Sequence, residues 1–243
     1  LHLITGPLGT IYGAYETMIQ KLCAYRIGDK EILPKYIVST ATIKNAHEQI
    51  KCLYGRTQTM QFPANGFETG DSFFIREIPV SVKPFRKYVG VSASGQSMKT
   101  TVLRVYAVIL QTVHELAKNP NYVNYVDPYY TLIGYFNSIR ELGGTVRLLQ
   151  DDIPKRIARL VKKYGYKSER FLKESSKIEI TSRIHSSRIS EKLEQLETPM
   201  GEAGCLDTAI ATNMISAGMD VDRLGLMAVM GQPKQNAEYI QAT

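Results

Sequence analysis

Apolar positions recur along this chain with a helical period in some stretches and a strand period in others, and the switches between them predict its elements. Over residues 15–26, Tyr15, Met18, Ile19, Leu22 and Cys23 lie at helical spacing, with Gly28 as the expected stop. Residues 35–38 read as a short buried strand running into Ser39-Thr40-Ala41-Thr42. Ile43, Ala46, Ile50 and Leu53 then describe a short amphipathic helix, with Thr42 placed to cap it. Residues 55–86 are punctuated by Gly55, Pro63, Gly66, Gly70, Pro79 and Pro84, so irregular structure with short strands is expected, Ser72-Phe73-Phe74-Ile75 being the main apolar run. Residues 88–91 are strand-like. After them, residues 98–118 carry Val102, Val105, Tyr106, Ile109, Leu110, Val113 and Leu116 on one broad apolar face, which predicts a helix covering a sheet.

The second half alternates strands with helices. Tyr130-Thr131-Leu132-Ile133-Gly134-Tyr135-Phe136 is almost continuously apolar, as suits a central strand of a parallel sheet, and Asn137-Ser138 follow where a helix begins. Asp152-Ile153-Pro154 starts another helix, with a carboxylate cap and Pro in the first turn. Its stripe of Ile153, Ile157, Leu160, Val161 and Tyr164 leaves Lys155, Arg156, Arg159, Lys162 and Lys163 outside, either as a solvated face or as a nucleic-acid contact. Ile178-Glu179-Ile180-Thr181 alternates like a strand, and Ile189, Leu193 and Leu196 mark a short helix. Two further strand-like runs, 209–211 and 224–230, flank a loop holding Thr212, Asn213, Ser216, Gly218 and Asp220. An α/β sheet presents binding loops at its strand ends in this way, and hydroxyl, amide and carboxylate groups together suit a phosphate or a ribose.

Composition narrows the class. The 243 residues can bury a substantial core in one large domain or two small ones, and 44% hydrophobic with 22% charged residues describes a globular protein. Thirty Lys plus Arg against twenty-three Asp plus Glu gives a net charge of +7, compatible with a polyanionic partner. No run of about eighteen apolar residues occurs and the start lacks a signal-peptide pattern, so no membrane partner is expected and the location expected is cytoplasmic. Cys23, Cys52 and Cys205 are odd in number and far apart, which suits a reducing compartment, and His2, His47, His114 and His185 form no metal spacing. Gly90-Val91-Ser92-Ala93-Ser94-Gly95-Gln96-Ser97 is one residue from a phosphate-binding loop, but Gln96 stands where the lysine should be. A structural turn capping the next helix is the competing account.

Short motifs in order carry the rest. Leu1-His2 fits the last two positions of a D-E-x-H box, and the start, with no initiator Met, reads as a cut end. Ser39-Thr40-Ala41-Thr42, Phe136-Asn137-Ser138, Thr181-Ser182-Arg183, Thr212-Asn213 with Gly218-Met219-Asp220, and Gln241-Ala242-Thr243 then follow. This series resembles that of superfamily-two DExH helicases, from the end of the Walker B box through motifs III, IV and V to the opening of motif VI. Gly6-Pro7-Leu8-Gly9 and Gly70-Asp71-Ser72-Phe73-Phe74 look most like the helicase component of DISARM-type phage-defence systems.

The resemblance implies an α/β fold: a RecA-like parallel sheet flanked by helices over residues 87–243, preceded in residues 1–86 by the C-terminal part of a first RecA-like domain and a crossing segment. It implies coupling roles for Ser39, Thr40, Ala41 and Thr42, and nucleic-acid backbone contacts at Asn137, Ser138, Thr181, Ser182, Arg183, Thr212 and Asn213. Gly218, Asp220 and Gln241 would lie on the nucleotide side. No catalytic residue and no metal ligand is expected in the chain, because the Walker B carboxylates would lie upstream and the arginine fingers downstream. The implied parent is an ATP-dependent helicase or translocase using ATP and magnesium, with DNA favoured over RNA as its track and partner subunits in a defence system. The fragment itself is expected to hold no cofactor tightly and to be inactive alone. The alternatives are a non-catalytic nucleic-acid-binding or interaction domain, and a P-loop nucleotide enzyme with a degenerate loop at 90–97.

Overall fold

In the computed structural model the chain forms two units, Leu1–Val91 and Ser92–Thr243. The structure describes all residues except 1–3, 5, 41–44, 64–66, 68–69, 84–85, 182–183, 185–187, 213–220 and 234–235. In the first unit, helix α1 (Gly6–Cys23) packs on α2 (Ala46–Tyr54), with a hairpin of β1 (Tyr25–Ile27) and β2 (Lys30–Ile32) between them in sequence. Gly9 and Gly13, one turn apart, let α1 approach Leu53, which is buried with Tyr54. The first helix thus starts well before the residues whose spacing predicts it. Gly28 sits in the hairpin loop and not at a helix stop.

Two other expectations fail in this unit. Residues 35–38 are extended but belong to no ladder, and Ile37 is 91% exposed. A buried strand needs a hydrogen-bonding neighbour, and the described strands of the unit, β1 and β2, pair only with each other. The α2 N-cap is Asn45, without a side-chain cap bond, and Thr42 lies outside the described residues. Residues 72–75 form a turn closed by the Ser72 amide on the Ile75 carbonyl at 2.7 Å, so Phe73 and Phe74 stack edge-on in solvent.

The second unit begins with a turn. Residues 88–91, at the end of the first unit, belong to no described strand, and Ser97 caps α3 (Met98–Ala117), its hydroxyl accepting from the Thr100 amide at 3.1 Å. A short helix, α4 (Asp127–Tyr130), precedes β3 (Leu132–Phe136). Then follow α5 (Ile139–Arg147), α6 (Ile153–Tyr164), β4 (Lys177–Ile180), α7 (Ile189–Glu197), β5 (Thr208–Ala211), β6 (Met227–Met230) and α8 (Asn236–Ala242). The sheet order is β4-β5-β3-β6, all parallel. The central strands β3 and β5 are buried at every residue, in keeping with sequences that are apolar but for Thr208 at the start of β5, whereas β4 at the edge alternates.

Successive residues of each strand serve opposite faces. Leu132, Phe136 and Ile210 join α3, α5 and α6 in one core, while Ile133, Ile178, Ile180, Ala209 and Ala211 join Leu193 and Leu196 of α7 in the other. Asp152 does not cap α6, because the chain is already helical there: a π-helical turn, residues Leu148–Asp152, joins α5 to α6. Its cause is in the sequence. Thr145, Leu149, Ile153 and Ile157 are all buried at spacings of four, and in a plain α-helix each such step turns the face by about 40°. The widened turn absorbs the drift and keeps all four on the core.

Helix α3 comes so close to the sheet that Gly134 faces the Tyr106 side chain. A Cβ at position 134 would overlap the Tyr106 hydroxyl and lie 3.0 Å from Phe136 Cε2 and 3.1 Å from Ile210 Cγ2. The Tyr106 hydroxyl is buried with no hydrogen-bond partner, and burial raises its pKa. Gly134→Ala is therefore expected to destabilise the protein by about 1–3 kcal/mol, while Tyr106→Phe, which removes the unpaired hydroxyl, leaves stability unchanged or higher. The double variant should lose less than Gly134→Ala alone, and urea unfolding of all four proteins measures the coupling.

Candidate functional site

The two edges of the sheet differ in kind. Where the strands begin, two arginines tie the elements together. The Arg170 guanidinium reaches Asp207 at 2.8 Å, donates to the carbonyls of Tyr130 at 2.8 Å and Leu110 at 3.3 Å, and stacks 4.1 Å over the Tyr130 ring. Asp207 also accepts from the Ser176 hydroxyl, and its amide donates to the Ser176 carbonyl at 2.8 Å. Gln111 completes the set, accepting from the Arg170 amide at 3.0 Å. Nearby, Arg223 pairs with Asp127 at 3.0 Å and donates to the Leu196 carbonyl and the Thr131 hydroxyl. Sequence reasoning missed both networks. Their signal was a charged residue immediately before a strand, Asp207 ahead of β5.

Where the strands end, the motif residues come together. Thr181, Thr212 and Asn137 follow β4, β5 and β3, three neighbouring strands, at the same edge. The Asn137 amide group donates to the carbonyls of Met230 at 3.2 Å and Gln232 at 3.3 Å, tying the end of β3 to the end of β6. Gly231, at φ +73°, makes the turn there, in a backbone region that side chains rarely adopt. Ser138 caps α5, accepting from the Glu141 amide at 3.3 Å. Thr181 and Thr212 are buried, the former donating to Glu179 at 3.1 Å and the latter's amide donating to the Ile180 carbonyl at 3.4 Å. Asn137 and Ser138 alone of these four are exposed.

The topology marks this edge. The chain leaves β3 for α5 and α6 on one face, but after β5 it returns with Val221 and Leu224 against the other face. Connections that part to opposite sides open a crevice at the strand ends, where α/β sheets take their ligands. Thr212 and Asn137 flank it. Ser182, Arg183, Asn213, Gly218 and Asp220 lie outside the described residues, as do Ala41 and Thr42. Ser39 and Thr40 belong to the first unit, and Gln241 to α8, which is anchored by the Tyr135 hydroxyl donating to Glu238 at 2.7 Å. Burial and that bond raise the Tyr135 pKa. Residues 90–97 lie at no strand end: they form a turn, with the Gln96 amide on the Ala93 carbonyl, that feeds α3.

These features define a parallel β-sheet flanked by helices, consistent with a RecA-like fold, with its candidate site at the carboxyl edge. The chain is 58% identical over 243 residues, its whole length, to DISARM protein DrmA of Bacillus paralicheniformis, and covers 21% of that protein. It therefore spans about a fifth of the length of the relative it matches. No family model matches the chain. No described helix is long and apolar enough to cross a membrane.

The amino-edge network is open to a direct test. Asp207→Asn or Arg170→Met leaves a buried charge unpaired and is expected to cost about 3–5 kcal/mol. The joint replacement by apolar residues of similar volume should recover most of it, as read from denaturant midpoints.

Proposed function

We propose that the chain is part of a DISARM-system, helicase-like protein that uses ATP to move on nucleic acid. In this reading residues 87–243 are its second RecA-like domain, and residues 1–86 are the end of the first with the crossing segment. The observation that carries it is the convergence of Asn137, Thr181 and Thr212, read from sequence as motif residues, on one carboxyl edge beside a topological switch point. The identity to a DISARM protein along the whole chain supports it independently.

The division of labour follows the motif series. Its motif IV and V residues grip the backbone of one strand, DNA in preference to RNA, with Thr212, Asn213, Thr181, Ser182, Arg183, Asn137 and Ser138 as the contacts. Backbone contacts make the grip largely independent of sequence and sensitive to salt. Ser39, Thr40, Ala41 and Thr42 couple this grip to the nucleotide, which Gly218, Asp220 and Gln241 approach. Gln96 stands where the lysine of a phosphate cradle would be. The reading assigns the tight nucleotide and metal contacts to the remainder of the protein and takes the chain alone to be inactive.

The test is ATP hydrolysis by the full-length protein with and without single-stranded DNA, RNA and duplex. Stimulation is expected, strongest with DNA, and Thr212→Ala or Asp220→Ala is expected to reduce it about tenfold or more. Hydrolysis indifferent to every nucleic acid would overturn the reading. So would stimulated turnover by the 243-residue chain in isolation, as far as the inactivity of the chain is concerned.

A further inference from the structure

The amino edge of the sheet also carries a surface that the motif series leaves unused. α6 ends at Tyr164 against Gly165, and the chain then runs through Tyr166, Lys167 and Ser168 before Arg170 enters the buried network. Tyr164, Tyr166 and Phe171 are left 58%, 37% and 74% exposed. The two tyrosine rings lie 5.8 Å apart and are tilted by 38°, and the Lys163 ammonium sits 4.9 Å from the Tyr164 ring centre. Among the described residues, Arg159, Lys162, Lys163, Lys167 and Lys173 take part in no salt bridge. Two exposed tyrosine rings thus lie side by side with a lysine over one of them, and exposed Phe171 and further cations without a salt bridge follow close by in sequence.

The platform is held from beneath. Gln111 donates to the Ser168 carbonyl at 2.9 Å, His114 lies 3.1 Å from the Ser168 hydroxyl, and Lys118 reaches the same hydroxyl. With Arg170 locked to Asp207 two residues on, the loop has fixed points on α3 and at the foot of β5. The exposed rings are thus presented by a rigid base. Burial, with Lys118 and Arg170 close by, holds His114 below its ordinary pKa, so it adds no charge to the surface near neutral pH.

Exposed aromatic faces beside unneutralised cations match one ligand chemistry closely. Bases of a single strand stack on such rings whatever their sequence, and the cations track the phosphates. A protein partner favours an apolar patch depleted in lysine, which this surface is not. We propose that Tyr164, Tyr166 and Phe171, with Lys163, Lys167 and Lys173, form a second contact for single-stranded nucleic acid. It lies at the edge of the sheet opposite Asn137, Thr181 and Thr212, and requires no coupling to nucleotide. The proposal extends the path of the strand beyond the carboxyl-edge reading and does not depend on that reading's residues.

The full-length protein would be titrated against a fluorescein-labelled oligothymidylate of about thirty nucleotides, without ATP, over a range of salt concentrations, by anisotropy. Y164A/Y166A/F171A is expected to weaken binding about tenfold or more with an unchanged salt slope. K163Q/K167Q/K173Q should weaken it and flatten the slope of log K against log salt by about two. Y164F/Y166F keeps the rings and should bind like the parent, and unchanged melting temperatures show that the variants fold. If both triple variants bind with the parent's affinity and slope, the proposal is wrong, and the carboxyl-edge reading stands untouched. A parent that hydrolyses ATP on duplex but holds no single strand would overturn it as well.

Discussion

The second unit depends on the pairing of Arg170 with Asp207. A parallel sheet of four short strands has no hairpins to set its register, so the starts of the strands must be fixed by something outside the ladder. Here a single buried guanidinium satisfies a carboxylate and two carbonyls, and through them fixes α3, the approach to β3, the approach to β4 and the first residue before β5. Burying two charges is costly, and such a pair is no bargain in stability against an apolar core. What it supplies is definition: a one-residue slip moves a strand by about 3.3 Å, enough to draw these donors and acceptors apart.

That arrangement separates the unit into a fixed end and an adaptable one. At the amino edge, both arginines are saturated with partners from elements distant in sequence. At the carboxyl edge, among the described residues, the Asn137 amide ties β3 to β6 through bonds of 3.2 and 3.3 Å made by a neutral, exposed side chain. A neutral exposed bond is weaker than a buried charged one, so the tie between the ends of β3 and β6 costs less to rearrange than either arginine network.

Much of this was legible in the sequence, for physical reasons. β3 and β5 could be read because a strand covered on both faces must be apolar throughout, and α3 because one continuous stripe of apolar residues meets one sheet. The positions of Asn137, Thr181 and Thr212 at strand ends follow from the same boundaries; their chemistry does not. The strand expected at 35–38 failed because apolar content says nothing about whether a ladder partner is present. The capping role given to Asp152 failed because a Pro two residues later marks a first turn only when the chain before it is not already helical. The Arg170–Asp207 pair spans 37 positions, and no local pattern links its members.

The π-helical turn between α5 and α6 has a consequence best put in terms of phase. Such a turn carries one residue more than plain α geometry needs, so deleting a single residue from Leu148–Asp152 would leave a regular helix of sound hydrogen bonding. Because the wide turn already absorbs that residue, everything beyond the deletion would keep nearly its present orientation, whereas the same five residues wound as plain α-helix would rotate it by about 100° about the helix axis. In that plainly wound helix Ile153 and Ile157 would swing off the core, and the lysines and tyrosine at the far end would face a different quarter of the molecule. The direction in which α6 displays its surface is thus set by an indexing device just before its first turn, and a change of winding there would act as a change of aim.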